Sequence, residues 1–79
     1  MSAFLFLQIG TLEDWDEARK LHDAIHGVDG VKSVHFLMGP TDMVVYLEAA
    51  DQEQLMENIA KIRSMGNVER TDTRIVIPM

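Results

Sequence analysis

Residues 29–34 (Asp-Gly-Val-Lys-Ser-Val) and residues 66–71 (Gly-Asn-Val-Glu-Arg-Thr) echo each other 37 positions apart, and each joins a helical stripe to a strand. This weak internal repeat limits the chain to two similar strand-helix-strand units. The first unit opens with Ala3–Gly10 (AFLFLQIG), an apolar run too short for an ordinary helix and bounded by Gly10, which reads as a buried strand. Thr11 and Asp14 have the spacing of an N-cap and its partner, and Glu13, Asp14, Asp16 and Glu17 sit where a helix dipole favours negative charge. Trp15, Ala18, Leu21 or His22, and Ile25 then recur as one apolar stripe, and Gly27 closes the helix. Val31–Met38 is a second strand, followed by the loop punctuation of Gly39 and Pro40. Asp42–Ala49 is a third. Asp51 and Gln54 repeat the capping spacing, and Leu55, Ile59, Ile62 and Met65 step through i, i+4, i+7 and i+10. Gly66 and Asn67, both tolerant of the left-handed region, end that helix, and Val68–Ile77 returns as strand four.

The order βαββαβ, with right-handed crossovers in both units, predicts an α+β sandwich of ferredoxin-like type, with both helices on one face of an antiparallel sheet. Strands one and three carry continuous apolar runs and suit the centre, whereas strands two and four carry Lys32, Ser33, His35 and the polar run Glu69–Arg74 and suit the edges. The expected strand order is 4-1-3-2. Alternation then places Ala3, Leu5, Leu7 and Ile9 with Met43, Val45 and Leu47 under the helices, and Phe4, Phe6, Val44 and Tyr46 on the open face. An aromatic patch on an uncovered sheet calls for a partner, and a two-fold sheet-to-sheet homodimer of the dimeric α+β barrel type is the natural cover.

Size and composition agree with that need. A 79-residue chain is one domain, 1–79, and a domain this small buries only about 60% of its unfolded surface. With no cysteine, neither disulfides nor thiolate metal sites can reinforce it, and oligomerisation is the remaining staple. Thirteen acidic against seven basic residues, a net charge of −6, exclude a phosphate-backbone binder. No signal-like segment and no run near the roughly 18 apolar residues of a membrane span is present, so a cytoplasmic location is expected. His22 and His26 have the spacing of a two-histidine metal pair, but no third ligand follows, so no metal and no cofactor is expected.

The chain carries Gly39-x-x-Asp42, Val68-x-x-Thr71-x-Thr73, the Asp29-Gly30-Val31 joint and a closing Ile75-Val76-Ile77. In these motifs, from the first strand to Pro78, it resembles the effector-binding domain of the Lrp/AsnC transcriptional regulators, also called the RAM domain. It implies a domain that dimerises through its sheets, commonly assembles into octameric rings, and binds a small effector, mostly a free amino acid, between dimers. Gly39, Thr41, Asp42, Thr71 and Thr73 match the segments that contribute to that site. Threonine hydroxyls can serve a zwitterion as donor and acceptor, Gly39 allows close backbone approach, and Asp42 could accept from the ligand ammonium. Pro40 and Thr41 stand where the family carries a charged or polar residue and an aromatic. Full regulators precede this domain with a winged helix-turn-helix. The present chain begins at strand one and resembles the stand-alone form, so the expectation is a non-enzymatic module that does not bind DNA itself and could join a full-length regulator.

Each assignment has a plainer counterpart. Asp42 can serve only to tie backbone N–H groups, Thr71 and Thr73 can be ordinary edge-strand residues, and Arg70, Asp72 and Arg74 can form solvated or subunit-bridging ion pairs. Two other functions stay open: a structural oligomer whose ligand loop has lapsed, and a small dimeric barrel enzyme using His35 in the cavity between sheets.

Overall fold

The computed structural model describes residues 1–79. Its elements are β1 (Ser2–Ile9), α1 (Trp15–His26), β2 (Val31–Phe36), β3 (Met43–Glu48), α2 (Gln52–Arg63) and β4 (Val68–Ile75). They form one antiparallel sheet in the order β2-β3-β1-β4, the arrangement the strand compositions predict. Ala3, Leu5, Leu7, Met43, Val45 and Leu47 are fully buried and meet Leu21 and Ile25 of α1 and Leu55, Ile59 and Ile62 of α2. Each fully buried Leu, Ile or Met contributes about 1.5–3 kcal/mol by leaving water, so this single layer carries the stability of the domain.

The repeat seen in the sequence is structural. Asp14 and Asp51 cap the two helices by accepting from the N–H groups of Glu17 and Gln54, at 2.9 and 2.8 Å. After α1, Val28 N–H donates to Ile25 and Val31 N–H to Val28; after α2, Met65 N–H donates to Ile62 and Val68 N–H to Met65. Both following strands then bulge at the same place. The register slips between Val31 and Ser33 on β2 and between Val68 and Arg70 on β4, leaving Lys32 and Glu69 as the extra residues.

Four local expectations are corrected. The N-cap of α1 is Asp14, not Thr11, because Glu17 rather than Asp14 occupies the third helical position. Trp15 lies at the first position of α1 and is 81% exposed, ahead of the stripe of Ala18, Leu21 and Ile25 that reaches the core. α2 ends at Ser64 in ordinary right-handed geometry, and neither Gly66 nor Asn67 is left-handed. The left-handed joint residue is Gly30 (φ 85°), where a side chain would strike the carbonyl of Glu48, the last residue of β3. Strands two, three and four are also shorter than expected, ending at Phe36, starting at Met43 and ending at Ile75, because Leu37–Asp42 closes into a loop and the tail after Ile75 leaves the ladder.

Candidate functional site

The bulge at Glu69 decides what the polar edge strand presents. Beyond it, Arg70, Asp72 and Arg74 lie opposite Gln8, Phe6 and Phe4, and so share the open face. Thr71 and Thr73 lie opposite Leu7 and Leu5 and turn to the helix side, where both are half-buried at the sheet edge. On the open face the rings of Phe4 and Tyr46 pack at 4.9 Å, with Phe6 and Val44 beside them, and Phe4 remains 42% exposed. Tyr46 Oη donates to Glu48 at 3.1 Å. The four residues expected to form a dimer face are therefore coplanar and partly exposed, and His35, opposite Val44 on β2, joins the same face.

At the end of this face lies the Leu37–Asp42 loop, which is tied down three times. Leu37 N–H donates to the Asp42 carbonyl, Asp42 N–H to the Leu7 carbonyl, and Ile9 N–H to Asp42 Oδ2, each at 2.8 Å. The last bond satisfies the Ile9 N–H on the β3 side of β1, just past the final β1–β3 pair, Leu7 with Met43. Gln8 Nε2 reaches across to the Pro40 carbonyl at 3.1 Å. Gly39, at the exposed loop tip, adopts φ 141°, a conformation that disfavours any side chain.

Between loop and edge strand is a concavity of about 370 Å³, lined by Phe6, Gln8, Thr41, Arg70, Thr71 and Asp72. Of the five residues expected at a ligand site, Thr41 and Thr71 meet there. Gly39, Asp42 and Thr73 are not part of its lining: the first two belong to the adjoining loop, and Thr73 lies two residues further along β4 on the same helix-facing side as Thr71. Sequence reasoning passed over Gln8 as a site residue and gave Arg70 and Asp72 only a surface role; the period-two placement of Gln8 with Phe4 and Phe6 on the open face was the available signal, whereas the bulge hid that of Arg70.

The charges here are unequal in their freedom. Asp72 is held by Arg74, whose Nε lies 3.2 and 3.3 Å from its two oxygens and whose guanidinium Nη2 lies 3.0 Å away. The hydrogen bonds to Asp72, and then its charge, raise Arg74 above the ordinary arginine value. A raised cation contributes its stabilisation below the unfolded value and loses it only as pH climbs through the folded one, so the Arg74 shift adds no dependence across neutral pH. The Arg70 side chain makes no hydrogen bond or ion pair within the chain.

Elsewhere, His22 and His26 stack at 5.9 Å and His22 stacks on Phe36 at 6.3 Å, with Asp23 3.2 Å from His22 Nδ1. No group of three or more His, Cys, Asp or Glu side chains is placed to hold a metal ion. No helix is long and apolar enough to cross a membrane.

The family model described as the Lrp/AsnC ligand binding domain matches residues 4–78. Among solved structures, TTHA0845 from Thermus thermophilus is 26% identical, with a TM-score of 0.81 over 99% of this chain and 94% of that one. The hypothetical protein PHS023 from Pyrococcus horikoshii is 24% identical, with a TM-score of 0.83 over 99% and 90% of the two chains. The transcriptional regulator NMB0573 from Neisseria meningitidis, solved as a complex with L-Met, is 18% identical and superposes with a TM-score of 0.80 on 98% of this chain and 49% of its own. The last two likenesses bear on the fold alone. No curated protein matches the chain.

Proposed function

The chain belongs to the Lrp/AsnC ligand binding domain family, and on that premise we propose that it is an oligomeric amino-acid-binding module that senses its effector beside the Gly39–Asp42 loop. The matched family is one of ligand binding domains of Lrp/AsnC type, which supports a regulatory reading over an enzymatic one. The observation that carries the finer reading is the concavity itself: about 370 Å³, within the usual range for small-molecule sites, with Thr41, the edge of Thr71, an amide and both signs of charge around one aromatic ring. That set suits a zwitterion with a modest side chain. The L-Met complex of the Neisseria regulator is a precedent for an amino acid ligand on this fold.

Phe4, Phe6, Val44 and Tyr46 pair two copies sheet to sheet, bringing a second open face toward the site and closing it from above. Thr73, on the outer flank of the same strand, is then available to a ligand or neighbour held between dimers in a higher ring such as an octamer. Effector occupancy shifts that assembly, or its association with a full-length regulator, and the domain takes no part in DNA contact. In amide chemical-shift mapping with a pool of the twenty amino acids, the reading expects perturbations at Gln8, Thr41 and Arg70–Asp72. Perturbations confined elsewhere, or none, would refute it. The alternative of a structural oligomer is favoured by one observation, that the Asp42 carboxylate and the Gln8 amide nitrogen are both committed to holding the loop; such a protein would leave the same amides unmoved.

A further inference from the structure

We infer that the concavity recognises its ligand chiefly by the carboxylate, through Arg70, so that 2-oxo acids occupy it about as well as the corresponding amino acids. This rests on reading the concavity as the effector site, and it follows from which charged groups there are already engaged. Two acids could meet a ligand ammonium. Asp72 is clamped by Arg74 at 3.0–3.3 Å on both of its oxygens. Asp42 gives Oδ2 to the Ile9 N–H at 2.8 Å and does not line the concavity.

The one charged lining group without an intrachain partner is the Arg70 guanidinium, which is also a planar fork matched to a carboxylate. Apart from Asp72, held by Arg74, and the Phe6 ring, its neighbours in the lining are neutral: Thr41, the edge of Thr71, and Gln8, which gives one amide N–H to Pro40 and keeps its other N–H and its oxygen free. A hydroxyl accepts from an ammonium and donates to a keto oxygen equally well. The α-substituent is therefore met by groups that suit either form, while the carboxylate is met by a charge. Charge-assisted hydrogen bonds are roughly twice as strong as neutral ones, so loss of the carboxylate should cost far more affinity than loss of the amine.

The test compares three forms of five skeletons, those of alanine, leucine, methionine, valine and phenylalanine: the amino acid, the 2-oxo acid and the decarboxylated amine. Each is titrated by amide chemical shift into wild type, Arg70→Gln and Arg70→Lys, with the untitrated spectra reporting that each variant keeps its fold. The expected pattern is at least one skeleton whose amino acid and 2-oxo acid bind within about tenfold of each other, an amine at least about tenfold weaker, a loss of about tenfold or more for both acids in Arg70→Gln, and a smaller loss in Arg70→Lys. An amino acid that binds while its 2-oxo acid does not, or that binds Arg70→Gln unchanged, would overturn carboxylate recognition and leave amino acid sensing standing. Absence of binding by all fifteen compounds would remove both.

Discussion

Replacing Asp42 separates a structural carboxylate from a ligand-binding one. In Asp42→Ala the Ile9 N–H, part-buried at the strand end, loses an ionised acceptor 2.8 Å away, and no other group within the chain is bonded to it. A hydrogen bond to a charged group contributes about 1.5–3 kcal/mol, and this one also anchors the loop between β2 and β3. Asp42→Asn keeps an acceptor oxygen and gives up only the charge, so its cost should be about 1 kcal/mol or less. With a urea m-value of about 1 kcal/mol/M for a chain of this size, the unfolding midpoint should fall by about 1.5–3 M for Ala and by less than about 1 M for Asn. Because assembly couples stability to concentration, the comparison holds protomer concentration fixed. Amide exchange should show the same loss locally, with Ile9 deprotected and Leu5 not. A midpoint for Asp42→Ala within about 0.3 M of wild type would refute the structural assignment and return the carboxylate to the ligand.

Three further outcomes are expected. Gly30→Ala forces a side chain into the Glu48 carbonyl from a left-handed residue and should destabilise by about 2–4 kcal/mol, whereas Gly66→Ala, with nothing within 4 Å, should be neutral or slightly stabilising by urea denaturation. Ile25→Ala should lose about 2–5 kcal/mol in the same assay and Trp15→Ala almost nothing, since Ile25 is fully buried and Trp15 is 81% exposed. Phe4→Glu places a charge at the centre of the open face and should convert the proposed dimer to monomer in sedimentation velocity while leaving helical circular dichroism intact; an unchanged sedimentation coefficient would move the interface elsewhere.

Patterns that survive any register were legible in the sequence: the two apolar faces of the central strands, the Leu55–Ile62 stripe, and the 37-residue repeat that places the two helices and the two joints in equivalent positions. Effects that depend on one residue of register were not. Glu69 and Lys32 are bulged, and a bulge reverses the alternation beyond it, so counting from Val68 would have turned Arg70 and Asp72 toward the helices. The threonines thus read as equal members of a site although only Thr71 lines the concavity. Asn58 was also invisible: it sits on the helical stripe, 1% exposed, because Gln54 Nε2 donates to its side-chain oxygen at 3.1 Å. Asp14 outcompeted Thr11 as cap because its partner at the third helical position lies one turn further on, a choice that spacing alone left open.

The central claim, an oligomeric domain that retains an amino acid, is most directly tested by native mass spectrometry of the tag-free protein with and without the twenty amino acids. An even-numbered assembly that holds one amino acid, or changes its stoichiometry when that amino acid is added, is the predicted result. A monomer, or an assembly whose mass and stoichiometry ignore every amino acid, would contradict it.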